Sequence, residues 1–222
     1  MKRTLLKTGD GSYTLHIPEW DEQYHSKHGA IAEALHVFIK EGLYHWSAKN
    51  SSTELSIMEI GFGTGLNAFL SFVETEKSNF RIDYTGVEAY PLNLDVIQKL
   101  NYTSLLNASE EIFLQLHDVS WEEKNSISEN FKLTKQRRLF SEINAENSFH
   151  LIYFDAFGIR VQPELWTEAI FQKMYNALKL NGVLVTYAAN GNARRAMQSV
   201  GFSVERIPGP PGKKEMLRAT KV

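Results

Sequence analysis

A glycine-rich loop and four acids hold the residue types that could do chemistry in this sequence. Glu59-Ile60-Gly61-Phe62-Gly63-Thr64-Gly65 follows an apolar run and precedes a helical pattern, the setting in which glycines let a ligand approach free backbone amides. The spacing is G-x-G-x-G and not the G-x-G-x-x-G of dinucleotide sites, and Glu59 just before it would repel a pyrophosphate. An acid beside open amides suits a ligand that carries an ammonium, a sulfonium and a carboxylate, as S-adenosylmethionine does. A tight turn that uses glycine only for packing is the alternative.

The other acids fall behind expected strands. Glu88 ends the second, where a carboxylate can accept both hydroxyls of a ribose, although it could be an ordinary strand-end acid. Asp118 follows a third expected strand at 112–116 and could accept from an adenine amino group; a helix cap or solvated turn is the other reading. Asp155 emerges from the apolar run Leu151-Ile152-Tyr153-Phe154. A carboxylate there could orient an amine acceptor and take its proton, unless its part is purely structural. Direct in-line transfer depends on positioning and needs no serine or cysteine nucleophile. His25, His28, His36 and His45 cluster near the N-terminus without metal-ligand spacing, so no metal is expected. Trp166 reads as core.

The elements that must hold these residues alternate. Residues 1–50 read as an N-terminal extension, with a strand at 12–17 and a helix from Ala30 to about Leu43, packed on a main domain at 51–222. In that domain strands at 55–60, 80–88, 112–116, 150–154 and 182–187 alternate with helices at 66–74, 92–100, from about Pro163, and at 193–200, the rhythm of a parallel α/β sheet. Residues 120–147 lose the pattern and read as an insertion, with 131–135 as a hairpin arm or part of a helix. Strands at 202–207 and 215–220, joined by Pro208-Gly209-Pro210-Pro211-Gly212, must pair antiparallel.

Composition bounds the rest. The 222 residues, 43% hydrophobic and 12% aromatic, suit one folded α/β domain. Cysteine is absent, which removes disulfides and thiolate metal sites and suits a reducing compartment. With neither signal peptide nor membrane span in the pattern, the cytoplasm is expected and no membrane partner. A net charge of −2 offers no bulk attraction to nucleic acid. Local basic residues do occur: Arg194-Arg195, and Lys213-Lys214-Glu215 with Arg218, which could contact phosphates or form a solvated face. Tyr24, Phe157 and Tyr187 could offer aromatic faces to a splayed base.

An ordered set of motifs carries a family resemblance: Tyr24-His25-Ser26 and Gly29, Gly61 to Leu66-Asn67, Tyr153-Phe154-Asp155-Ala156-Phe157, Pro163-Glu164-Leu165-Trp166, Leu184-Val185-Thr186-Tyr187, Gly201-Phe202 and Gly212-Lys213-Lys214-Glu215-Met216-Leu217. In these the chain resembles the tRNA 5-aminomethyl-(2-thio)uridine methyltransferases, found alone or as the N-terminal part of a bifunctional protein. The resemblance implies a Rossmann-like class I methyltransferase fold, with a mostly parallel seven-stranded sheet and a C-terminal antiparallel hairpin. It implies methyl transfer from S-adenosylmethionine to the 5-aminomethyl amine of a wobble uridine in the tRNA anticodon loop, giving 5-methylaminomethyl.

Asp155 is the expected catalytic residue on that reading. Glu59, Gly61, Phe62, Gly63, Gly65, Asn67, Glu88, Asp118 and Asp155 would contact the cofactor. Tyr24, Phe157, Arg160, Tyr187, Lys213, Lys214, Glu215 and Met216 would contact substrate. The segment Gly158-Ile159-Arg160-Val161-Gln162 departs from the family pattern. The chain ends soon after the hairpin, so separate enzymes are expected to supply the aminomethyl group. An aminopropyltransferase like spermidine synthase and a catalytically silent RNA-binding module are the competing readings. The first lacks its usual second acid between Ala156 and Gln162.

Overall fold

Side chains along the central strands alternate between two apolar clusters, and that alternation makes the sheet a middle layer. The computed structural model describes residues 2–222. Three strands, β1 (Thr4–Lys7), β2 (Tyr13–Ile17) and β3 (Glu22–Gln23), form a small antiparallel sheet. The next four in the chain are β4 (Glu54–Ile60), β5 (Arg81–Val87), β6 (Lys124–Ser126) and β7 (Phe131–Gln136). The last four are β8 (Phe149–Phe154), β9 (Leu178–Thr186), β10 (Phe202–Pro208) and β11 (Glu215–Lys221). These eight make one sheet in the order β10-β11-β9-β8-β4-β5-β7-β6, parallel from β9 through β7. The C-terminal hairpin is antiparallel, as expected, and β6 adds an antiparallel edge, so the sheet has eight strands where seven were expected.

Leu151 and Tyr153 of β8 enter one cluster while Ile152 and Phe154 enter the other, the burial of both faces that parallel strands require. The first cluster is roofed by helix Leu66–Lys77, helix Glu110–Asp118 and the N-terminal helix. The second lies under helices Glu168–Ala177 and Gly191–Ser199. The N-terminal helix runs unbroken from Ala30–Ala34 through a π-helical stretch, Leu35–Tyr44, to His45–Ser47. A β-carbon at Gly42 would lie 3.1 Å from Val185 and 3.2 Å from Tyr153, so glycine lets the helix axis approach the sheet. The helix is therefore part of the core layer and not an appendage. Among the described residues no helix is long and apolar enough to cross a membrane.

Three expectations change between residues 90 and 147. Residues 112–116 are helical: Ser109 caps Glu110–Asp118 by accepting from the Ile112 amide at 3.3 Å, Glu110 and Glu111 occupy the favourable first turn, and Phe113 and Leu116 point inward. An apolar run of five residues is too short for periodicity to separate strand from helix. Residues 120–147 are no insertion, because they contain β7, the inner neighbour of β5. Phe131, Leu133 and Lys135 of β7 are all fully buried. Lys135 breaks the apolar pattern at the third of these, its ammonium donating to the His117 carbonyl and lying 4.8 Å over the Trp121 ring. The expected helix at 92–100 shortens to Leu94–Ile97, and the chain turns at Asn101, whose side chain accepts from the Tyr13 amide at 2.7 Å and donates to the Gly11 carbonyl at 3.0 Å.

A Leu133→Ala substitution distinguishes a core strand from an insertion. Loss of a buried leucine side chain should cost about 2–5 kcal/mol in urea unfolding, whereas a surface insertion would change stability by roughly 0.5 kcal/mol or less.

Candidate active site

Register brings the five parallel strands to an end side by side. Ile60 pairs with both Val87 and Phe154, Val87 pairs with Gln136, and Tyr153 pairs with Val185. The next residues, Gly61, Glu88, Arg137, Asp155 and Tyr187, therefore emerge on one rim and together line a cleft of about 1250 Å³. The chain order reverses at β4, with β5 on one side and β8 on the other, so the glycine loop sits at the topological switch point where open α/β sheets bind ligands. The small N-terminal sheet and the segment after it form the opposite wall through Trp20, Tyr24, His25 and Ser26.

Gly61 and Gly65 carry the geometry of the loop, with φ of 93° and 70°. A β-carbon on Gly61 would meet the Asp155 carbonyl at 2.7 Å, and one on Gly65 would meet His117 Nε2 at 2.6 Å. His117 makes a 3.1 Å hydrogen bond to the Thr64 carbonyl; burial, with help from the Lys135 charge, pushes its pKa down to about 4 and keeps the ring neutral. Phe62 packs inward, its ring 5.5 Å from His117. Glu88 Oε2 accepts the Gly63 amide at 3.0 Å and Oε1 the Tyr90 amide at 2.9 Å. These bonds orient the carboxylate and leave a lone pair on each oxygen for a ribose.

Glu59 and Asp155 lie at the floor of the cleft, bridged by one side chain. Asn67 Nδ2 donates to Glu59 Oε1 at 2.8 Å and to Asp155 Oδ2 at 2.9 Å. Asn67 Oδ1 is a buried acceptor without a partner among the described residues, and Glu59 Oε2 has only the Tyr84 phenol, itself otherwise unpartnered, to turn to, a costly arrangement unless a donor fills it. Burial first, then the Asp155 charge, holds the Glu59 carboxyl well above the usual carboxylate range. Burial, reinforced by Glu33, pushes Asp155 up to about 7, against the opposing effects of Asn67 and Lys213. Two under-satisfied acceptors beside two protonation-prone acids match a ligand bearing an ammonium, so the residues present fit S-adenosylmethionine.

The remaining expected positions divide. Tyr24 accepts from Arg3 Nε at 3.0 Å and meets Phe157 edge-on at 5.0 Å; both line the cleft. The Tyr187 hydroxyl donates to the Ala156 carbonyl at 2.8 Å, and the Lys213 ammonium lies 3.9 Å over its ring. Lys213 also pairs with Glu33 at 2.5 Å, inside the cleft. Lys214 and Glu215 border a shallower hollow beside Tyr187. Arg160 is not part of the cleft lining; it binds the Asp21 carbonyl at 2.8 Å and Glu22 at 3.0 Å, securing the turn that presents Trp20.

Two positions are corrected. Met216 is fully buried in the first apolar cluster, because alternation along β11 turns it inward, and it does not reach the cleft. Asp118 is exposed on the last turn of its helix, outside the cleft, and its charge acts on Lys135. Arg137, after β7, occupies the rim where Asp118 was expected.

Glu33 was missed, although a signal existed: it stands on the apolar face of its helix between Ala30, Ala34 and Val37, where an unpaired acid is rarely tolerated. Trp20 carried no such signal. Because the Asp155 pKa is raised on folding, its contribution to stability is fully present near pH 4 and lost as pH rises to about 7. Asp155→Asn should therefore stabilise the ligand-free protein at pH 8 but not at pH 4.5. Thermal unfolding across that range checks it, and a flat difference would place Asp155 in an ordinary solvated setting.

Comparison with known proteins identifies the family. The family model described as S-adenosyl-L-methionine-dependent methyltransferase matches residues 92–222. The tRNA 5-methylaminomethyl-2-thiouridine biosynthesis bifunctional protein MnmC of Cupriavidus metallidurans is 27% identical over 95% of this chain and 33% of its own length. Its namesake in Leptospira interrogans is 29% identical over 90% of this chain and 32% of its own. The chain thus spans about a third of the length of the curated relatives it matches. MnmC2 from Aquifex aeolicus shares the fold with a TM-score of 0.79 at 22% identity, over 98% of this chain and 70% of that one. Spermidine synthase from Thermotoga maritima is a more distant likeness of fold, with a TM-score of 0.56 at 13% identity over 100% of this chain and 72% of that one. With a family model that covers more than half of its residues and a cleft that fits the cofactor, the chain belongs to the S-adenosyl-L-methionine-dependent methyltransferases.

Proposed function

We propose that this methyltransferase transfers a methyl group to the primary amine of a 5-aminomethyl, or 5-aminomethyl-2-thio, uridine at the wobble position of tRNA, giving 5-methylaminomethyl. The observation that carries the reading is Asp155, a carboxyl of raised pKa that borders both the glycine loop and an aromatic-walled opening. The names of the relatives, which concern biosynthesis of 5-methylaminomethyl-2-thiouridine in tRNA, support the choice of acceptor.

Glu59 and Asn67 would hold the amino acid end of S-adenosylmethionine, the loop from Gly61 to Gly65 its backbone-facing side, and Glu88 the ribose. When bound, the cofactor supplies a sulfonium-borne methyl that a neutral amine takes up in line, leaving a neutral thioether. An alkyl amine is protonated at neutral pH and cannot attack in that form. Asp155, with a pKa near the working pH, can pair with the ammonium and take its proton, so that the neutral amine is in place before the nitrogen–carbon bond forms. Phe157, Tyr24 and Trp20 line the approach and would hold the base while keeping water from the reacting nitrogen. The aminomethyl group itself must come from a different activity, since methyl transfer cannot make it.

Lys213 and Lys214, adjacent in sequence, are expected to behave differently. Lys214 is exposed and could neutralise a phosphate, whereas Lys213 is committed to Glu33 and Tyr187 within the cleft. Lys214→Ala should lower the salt slope of tRNA binding by about 0.7 for one lost single-strand phosphate contact, and Lys213→Ala should leave it unchanged. Equal slopes for both variants and the wild type would remove the phosphate role.

Mass spectrometry of wobble nucleosides tests the function itself. Incubating the protein and S-adenosylmethionine with tRNA that lacks the final methyl should produce 5-methylaminomethyl nucleosides. Asp155→Asn should slow this by roughly 10²–10⁴ with cofactor affinity kept. Cofactor binding without any change in the nucleosides would overturn the assignment.

A further inference from the structure

Helix Ala30–Ala34 and the turn before β11 meet over the Asp155 side of the cleft, and the contact is an ion pair. Glu33, 6% exposed, places Oε1 2.5 Å from Lys213 Nζ, while its Oε2 accepts the Ser26 amide at 2.7 Å. Lys213 lies on the Tyr187 ring, and its ion pair is with Glu33 and not with Asp155. The turn itself is fastened to the helix by His36 Nε2, 2.9 Å from the Pro208 carbonyl, and by Arg218, 2.9 Å from Glu41. The two elements thus hold Lys213 within the cleft, between Glu33 and the Tyr187 ring.

We infer that Glu33 is a positioning residue for methyl transfer: by holding Lys213 against Tyr187 it keeps that ammonium from pairing with Asp155 and so preserves Asp155 as a proton acceptor. An Asp155 carboxylate paired with a lysine would be too weak a base to receive the acceptor's proton and would no longer attract an ammonium. The negative charge of Glu33 acts in the same direction, and the shift at Asp155 follows it: burial raises the carboxyl, Glu33 raises it further and Lys213 opposes both. Several other groups face Asp155 from the elements around it. Asn67 comes from the helix after the glycine loop, Glu59 and the Tyr84 phenol lie below, and the Tyr187 and Tyr102 phenols complete the surroundings. His25, buried and neutral with a pKa pushed down to about 4, adds no charge near neutral pH.

This inference rests on Asp155 being the proton acceptor, yet its test needs no tRNA. The ligand-free protein, labelled with ¹³C at aspartate carboxyls and with Asp155 assigned by loss of its signal in Asp155→Asn, is titrated by NMR. Glu33→Gln, which keeps the side-chain shape and the acceptor for Ser26, should lower the Asp155 midpoint by about one unit or more. Lys213→Met should move it upward, and Glu33→Asp should return it most of the way to the wild-type value. Should Glu33→Gln fail to fold, the Lys213→Met direction alone decides. An unchanged or raised midpoint in Glu33→Gln, or a lowered one in Lys213→Met, overturns the inference even where thermal stability or cofactor affinity falls. Failure of the wild type to methylate tRNA would instead overturn the proposed function and leave the titration standing.

Discussion

Glu59, Glu33 and Asp155 share one cleft, and the cost of bringing three carboxylates out of water organises what surrounds them. Asn67 divides its amide between two of them, and Lys213 neutralises the third. What remains uncompensated, at Glu59 and Asp155, is pushed toward the protonated state. Such a floor receives a cationic ligand well, because an ammonium returns the lost compensation to Glu59 while the orphaned Asn67 carbonyl gains a donor. The same electrostatic demand explains why His25 and His117, both buried nearby, remain neutral.

The backbone obeys a related constraint. Five strands end side by side, so their next residues converge only if the turns leaving them are tight enough not to collide. Glycine at position 61 allows the loop to pass the Asp155 carbonyl, and the Asp155 amide binds the Ile60 carbonyl at 2.9 Å. Loop and acid are in this way one unit. The N-terminal segment completes it from the other side: its helix lies on the sheet at Gly42, its small sheet supplies Trp20 and Tyr24, and its first turn supplies Glu33. A segment that reads as an extension contributes a wall and a charge to the site.

How far the site was legible follows from the range of each interaction. The glycine loop, Glu88 and Asp155 each depend on a strand of several apolar residues running into a turn, a local pattern that sequence records. Asp118 was misplaced because a five-residue apolar run serves helix and strand equally, and a cap at Ser109 decided for the helix. β7 was hidden by Lys135, a lysine at a core position whose burial becomes intelligible only once the His117 carbonyl and the Trp121 ring are beside it. Lys213 read as a surface cation because its counter-charge, Glu33, lies 180 positions earlier in the chain.

By itself the sequence determined the alternation of strand and helix, the parallel sheet with its terminal hairpin, the loop that excludes a dinucleotide, and the carboxylates at the ends of β5 and β8. These are consequences of short-range periodicity and of what glycine and an adjacent acid permit. Tertiary structure alone decided that Lys213 faces inward, that Met216 is core, that Arg137 and not Asp118 stands on the rim, and that the acid on the apolar face of the first helix, Glu33, is paired with Lys213 inside the cleft. The physical reason is common to all four. Whether a charged or apolar side chain is solvated, paired or buried depends on groups that other, distant elements bring to it, and no spacing along one element records them.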